Sequence, residues 1–202
     1  KGNVTELAGV KYDGIGITDD YGAYRHIFKE GHHALCWAHP LRKLRDLKNS
    51  ETLSEDKKIY CKQTYEEFSS LYEELRIIHD KPFDKHEREA TAQKLKKKFA
   101  TILVARDGDP EILKQFKKSW TDRIDCYFVC LTERNVPPDN NKAERSLRHL
   151  VTKRKKSFGS KTQKGADILG VIYSVVMSLW RRSKENFFSA YHLALSPDFG
   201  GQ

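Results

Sequence analysis

Residues 55–131 carry a pattern that only helices can use. Phe68, Leu71, Tyr72, Leu75 and Ile78 recur at three- and four-residue steps, and Ala92, Leu95, Phe99, Ile102 and Leu103 repeat the pattern. Side chains so spaced fall on one face of a helix, so each stretch has a single stripe to bury. The turn at 80–84, with Pro82 at its centre, joins the two into a helical hairpin. Asp109 followed by Pro110 reads as an N-cap with proline at the first helical position. It opens a third helix through Leu113, Phe116, Trp120, Ile124, Tyr127, Phe128 and Leu131. No stretch of the block alternates as a strand would. The aromatics sit at core spacing, and Lys94, Lys96, Lys97, Lys98, Lys117 and Lys118 read as solvated faces.

On either side of the block the pattern changes. Residues 14–18, Gly-Ile-Gly-Ile-Thr, read as a short buried strand ending at Asp19 and Asp20. A helix over 21–28 follows, ended by Gly31, and then a second strand over 33–37. His39 and Pro40 begin a basic helix with Leu41, Leu44 and Leu47 on one side. Beyond the block, Pro137 and Pro138 stop the chain, and Asp139, Asn140 or Asn141 caps a new helix. In that helix Ala143, Leu147 and Leu150 make an apolar face, while Asn141, Glu144 and Arg148 make a polar one. Ile168, Leu169, Ile172, Val175, Val176, Leu179 and Trp180 mark a long helix expected to be central and buried, and 186–195 a last short one. The pattern predicts an α/β protein in three parts: 1–50 as the first part of a mixed core, 51–134 as an all-helical insertion, and 135–202 as the C-terminal helices of the core.

The chemistry-bearing residues lie in the flanks. A carboxylate at a strand end is held rigidly, which suits Asp19 or Asp20 to a reactive site; either can equally cap the helix that follows. Glu144 fits a metal ligand set on a packed helix. It also fits an exposed pair with Arg148, worth about 0.3–0.5 kcal/mol. From Arg145 onward come Arg148, Lys153, Arg154, Lys155, Lys156, Lys161 and Lys164, with no acidic residue among them and Gly159 and Ser160 inside the run. A carboxylate beside such a strip points to a metal site next to a phosphate backbone. The net charge of +9 over 202 residues favours a polyanionic partner in the same sense. His33, Cys36 and His39 are three zinc-ligand types, one short of a structural site; the alternative is a core thiol with locally bonded histidines. The four cysteines form no Cys-x-x-Cys pair, which points to a reducing compartment. The apolar run 168–180 is too short for a membrane span, so no membrane partner is expected.

Four blocks together resemble a known family: Ile17-Thr18-Asp19-Asp20-Tyr21-Gly22-Ala23-Tyr24, Leu35-Cys36-Trp37-Ala38-His39-Pro40-Leu41-Arg42-Lys43, Asn140-Asn141-Lys142-Ala143-Glu144-Arg145-Ser146-Leu147-Arg148, and Lys155-Lys156-Ser157-Phe158-Gly159-Ser160. They stand in the order found in the insertion sequence 66 family of prokaryotic transposases. The resemblance implies an RNase H-like core with a DDE site, in which three carboxylates hold Mg²⁺ or Mn²⁺ for cleavage and transfer of DNA strands. By position Asp19 matches the second acidic residue and Glu144 the third. Asp20 stands where the family usually has glycine, which leaves a choice between Asp19 and Asp20. Cys36 and His39, with Asn141, match motif positions near the site and are expected to shape it. Arg145, Arg148, Lys153, Arg154, Lys155, Lys156, Lys161 and Lys164 are expected to grip DNA. The family's first aspartate lies on an earlier strand. Only 18 residues precede Asp19, and Asp13, at a Tyr-Asp-Gly turn, is a poor substitute. The core is therefore expected to be incomplete at its N-terminus, and the chain, with Lys1 first and Met177 its sole methionine, to be a piece of a longer product that is inactive alone. A homo-oligomer acting on DNA in the prokaryotic cytoplasm, at the nucleoid, goes with the family. The alternatives are a non-catalytic, basic DNA-binding remnant of a transposase and a zinc-stabilised interaction module.

Overall fold

A computed structural model describes residues 13–20, 28, 31–156, 159–182 and 184–195, apart from the side chain of Arg154. The described chain is mostly helical around a small parallel sheet. Strand β1 (Gly16–Thr18) pairs with β2 (His33–Leu35) in the register Gly16 to His33, Ile17 to Ala34 and Thr18 to Leu35. Eight helices follow among the described residues: α1 (Ala38–Lys48), α2 (Glu55–His79), α3 (Lys85–Leu103), α4 (Glu111–Thr121), α5 (Ile124–Thr132), α6 (Asn141–Lys156), α7 (Gln163–Arg182) and α8 (Phe187–Ala194). Parallel strands need a crossover between them. The helix expected there, at 21–28, lies outside the described residues except for Phe28. Gly31 has the positive φ (76°) expected of a chain leaving a helix. Gly16 is required by close approach, because a Cβ there would run into the Phe28 ring. No helix among the described residues is long and apolar enough to cross a membrane.

The chain forms two compact units, Lys1–Lys142 and Ala143–Gln202. In the first, the sheet and α1–α5 share one core. Its centre is Trp37, fully buried, with the rings of Phe68, Tyr72, Phe99, Tyr127 and Phe128 all 5.2–5.9 Å away centroid to centroid. The buried stripe of α2 is Cys61, Thr64, Phe68, Leu71, Tyr72 and Leu75, and that of α3 is Ala92, Leu95, Phe99 and Leu103 with Arg88. Asp84 caps α3 by accepting from the Glu87 amide at 2.9 Å.

Three expectations for this block are corrected. The third helix is two, broken at Asp122 and Arg123, where Arg123 leaves helical geometry (φ −125°, ψ 20°). The apolar spacing runs on through the break because α4 and α5 pack onto the same core. Asp109 does not cap α4; Pro110 holds that place, and the Asp109 carboxylate is buried. Its partner is Lys117, expected on a solvated face but in fact 1% exposed, donating to Asp109 Oδ2 at 2.7 Å and to the Val104 carbonyl at 3.2 Å.

In the second unit, α7 forms where the apolar run predicts but is not a buried helix. Ile168, Val171, Ile172, Val175 and Trp180 are all exposed. On α6 the expected apolar face is likewise uncovered at Leu147. Tyr173 on α7 ties the two helices by donating its hydroxyl to the Ser146 carbonyl at 2.6 Å.

Candidate functional site

Alternation along β1 decides where each side chain at its end goes. Thr18 points inward and is buried, and Asp19 is exposed. Asp20 then takes a left-handed backbone (φ 64°), a conformation glycine enters freely and aspartate more readily than most residues. This turns its carboxylate back into the protein, where only 9% of the side chain is exposed. There Asp20 Oδ1 accepts from Arg123 Nη1 at 2.8 Å, and Oδ2 lies 3.4 Å from the Ser119 hydroxyl.

Arg123 reaches further. Its Nη2 lies 2.8 Å from His33 Nδ1. A guanidinium only donates, so His33 Nδ1 accepts and the ring proton sits on Nε2. His33 Nε2 then donates to Thr18 Oγ1 at 2.7 Å. A line of polar contacts thus runs from the α4–α5 break through Asp20 and His33 to the last residue of β1.

The Cys36–His39 block joins this strand end to the start of α6. Cys36 extends the sheet by donating its amide to the Thr18 carbonyl at 2.9 Å. Its thiol accepts from the Asn140 amide at 3.4 Å. Trp37 donates its amide to the Pro138 carbonyl at 3.0 Å and its indole N–H to the Tyr127 carbonyl at 2.6 Å. Asp139 completes the corner: Oδ1 accepts from the amide of Asn141, the first residue of α6, at 2.9 Å, and Oδ2 from the Tyr72 hydroxyl at 2.8 Å. Of the three cap candidates, Asp139 therefore supplies the carboxylate, from just outside the helix. Burial pushes the Cys36 thiol pKa up, so it stays protonated and neutral.

The zinc alternative gains no ligand set. Among the described residues no group of three or more His, Cys, Asp or Glu is placed to hold a metal ion. His33 serves Arg123 and Thr18, Cys36 serves Asn140, and the His39 amide donates to the Cys36 carbonyl at 3.3 Å at the start of α1.

Glu144 is half-buried in the first turn of α6, where a negative charge complements the helix dipole. It belongs to the second unit and Asp19 to the first. Arg145, Arg148, Lys153, Lys155, Lys156, Lys161 and Lys164 are all exposed; the Arg154 side chain and residues 157–158 lie outside the described residues. Gly159 adopts φ 83° as the chain turns between α6 and α7, and Thr162 Oγ1 accepts from the Gly165 amide at 3.1 Å at the start of α7. A cleft of about 870 Å³ opens here, floored by Leu150, Val151 and Leu169 and edged by Lys155, Ser160 and Gln163. Arg123 and Tyr72 are the contributors that sequence reasoning missed. The one signal for Arg123 was a charged residue set inside an otherwise apolar helical spacing.

The sequence pattern of the transposase IS66 family matches residues 2–168. Protein y4jO of Sinorhizobium fredii (strain NBRC 101917 / NGR234), described as uncharacterized, is 27% identical over 184 residues. That match covers 91% of this chain and 52% of the relative, so the chain spans about half of the relative's length. No solved structure matches the chain.

Proposed function

Because the chain belongs to the transposase IS66 family, we propose that it is the part of a DNA transposase that carries two carboxylates of a DDE site, Asp19 and Glu144, on an RNase H-like core. Residues 51–134 are the helical insertion between the segments that bear them. The observation that carries this reading is the hydrogen-bonded path from the Thr18 carbonyl through Cys36 to the Asn140 amide, which ties the strand end at Asp19 to the start of the helix bearing Glu144. Cys36 and Asn140 are 104 positions apart in sequence and have no reason to be joined this way as a local accident.

The donor chemistry fits a hard divalent ion. Asp19 is exposed and offers oxygen, Asp20 is held by Arg123, and the Cys36 thiol stays protonated. Asp19 and Glu144 would hold Mg²⁺ or Mn²⁺, with water completing the shell. Bound there, the ion would supply the positive charge that activates a water or a DNA 3′-hydroxyl and offsets charge on the leaving oxygen. The exposed cations from Arg145 to Lys164 grip phosphates and orient the strand. DNA is the substrate, further copies of the chain act with it, and the work is done at the prokaryotic nucleoid. A third carboxylate completes such a site in the family. Asp13, at a Tyr-Asp-Gly turn, is a poor match for that role.

The test is Mn²⁺ binding followed by electron paramagnetic resonance, with Asp19→Asn and Glu144→Gln beside the parent. Each substitution should weaken binding at least tenfold. Binding unchanged in both would overturn the site. DNA binding that survives in the absence of any Mn²⁺ site would favour a non-catalytic, basic DNA-binding remnant.

A further inference from the structure

We propose that Arg123 is a positioning residue for Asp19, acting from the helical insertion. The inference rests on the reading of Asp19 as a metal ligand and adds what holds it in place. Arg123 fixes the chain on both sides of Asp19 with one guanidinium. On the far side Nη1 binds the Asp20 carboxylate at 2.8 Å. On the near side Nη2 binds His33, whose other ring nitrogen binds Thr18 at 2.7 Å. Asp19 is the residue between the two anchors, and it is exposed.

This geometry has two consequences for an ion. The backbone that carries the ligand is fixed before binding, so less conformational freedom is lost when the ion arrives. The adjacent Asp20 carboxylate is neutralised and turned inward, so it does not compete with Asp19. The two arms use the planar fork of the guanidinium, whose amino groups stand at a fixed spacing; a lysine ammonium carries its donors on one nitrogen and does not reproduce that spacing. Arg123 can do this because the chain breaks between α4 and α5, placing its side chain beside the strand end while Trp120 before it and Tyr127 after it stay in the core. With 15% of its side chain exposed, Arg123 is shielded enough for these bonds to persist in salt.

The experiment compares Mn²⁺ affinity and thermal unfolding for the parent chain, Asp19→Asn, Arg123→Ala and Arg123→Lys. Arg123→Ala should lower affinity about tenfold or more, the usual effect of removing a residue that orients a ligand. Arg123→Lys keeps the charge beside Asp20 and so recovers most of the melting temperature, yet it should not recover the affinity, because the His33 arm is gone. If Arg123→Ala does not fold, Arg123→Lys decides alone. Parent-like affinity in a folded Arg123 variant with a lowered melting temperature would reduce Arg123 to a structural role and overturn the proposal. Parent-like affinity in Asp19→Asn would instead overturn the reading of Asp19 as ligand, whatever Arg123 does.

Discussion

Three substitutions at Asp20 separate what its backbone contributes from what its charge contributes. The residue is left-handed at φ 64°, and its carboxylate meets Arg123 at 2.8 Å with 9% and 15% of the two side chains exposed. Glycine accepts the backbone and loses the bond. A hydrogen bond to a charged group is worth about 1.5–3 kcal/mol, so Asp20→Gly should destabilise by about 2 kcal/mol. Alanine loses the same bond and adds about 1 kcal/mol for a Cβ in the left-handed region, giving about 3 kcal/mol. Asparagine tolerates that backbone and keeps an oxygen for Arg123, so only the charge is lost and about 1 kcal/mol goes with it. For a chain of 202 residues, 1 kcal/mol moves the melting temperature by about 2–4 °C. Alanine should therefore melt about 6–12 °C below the parent and asparagine about 2–4 °C below. The assay is thermal unfolding by circular dichroism, backed by urea titrations with unchanged slope. Alanine and glycine melting together would remove the backbone term, and asparagine falling as far as glycine would show that the charge, not the retained oxygen, carries the interaction. Mn²⁺ binding adds a second criterion. Asp20→Asn should retain it, and its loss to the extent seen in Asp19→Asn would move the ligand from Asp19 to Asp20.

Three further outcomes are expected. Asp109→Leu or Lys117→Met alone should destabilise by about 3–5 kcal/mol, because each strands its fully buried partner, while the two together should recover most of that loss in a double-mutant cycle; additive single effects would refute the pairing. Replacing Lys153, Lys155 and Lys156 by alanine should lower the slope of log K against log salt by roughly one unit for each phosphate no longer neutralised, for any DNA sequence, and an unchanged slope would remove these lysines from the interface. Stability should fall at alkaline pH: burial raises the thiol pKa of Cys36 and Cys61, that of Cys130 from 9.0 to about 12, and the phenol pKa of Tyr72 and Tyr127. The folded state then holds protons that the unfolded state releases, so these contributions are complete below pH 9 and decline as pH rises from there towards 12; urea titrations that show constant stability across that window would contradict the burial.

The sheet and the helices of the block were legible because each buries a stripe whose period is set by its own geometry. β1 and β2 read as strands from five-residue apolar runs, although only three residues of each pair. The helical hairpin read from Phe68 to Leu103 because the turn at 80–84 punctuates it. What stayed hidden was long-range pairing. Lys117 looks like any other lysine on a helix face, and only the chain folding back at Asp109 makes its position a buried one. The break at Arg123 was invisible because two helices packed on one core can keep the spacing that a continuous helix would have. The long apolar run was read as a buried helix because hydrophobicity says that a face favours cover; it does not say that this chain supplies it, and on α7 that face is exposed.

The helical block at 51–134 also supplies hydrogen bonds to the segments on either side of it. Arg123 holds Asp20 and His33 at the end of β1. The Tyr127 carbonyl accepts from the Trp37 indole, and the Tyr72 hydroxyl donates to Asp139 at the start of α6. Each of these residues comes from α2, α5 or the break before α5, and each ends at a segment that leads to Asp19 or Glu144. The same helices also surround Trp37, the residue next to the thiol that bonds Asn140. Loosening the insertion therefore loosens both segments at once. The block that separates the two stretches in sequence thus supplies the side chains that hold Asp20 at the end of β1 and Asp139 before α6.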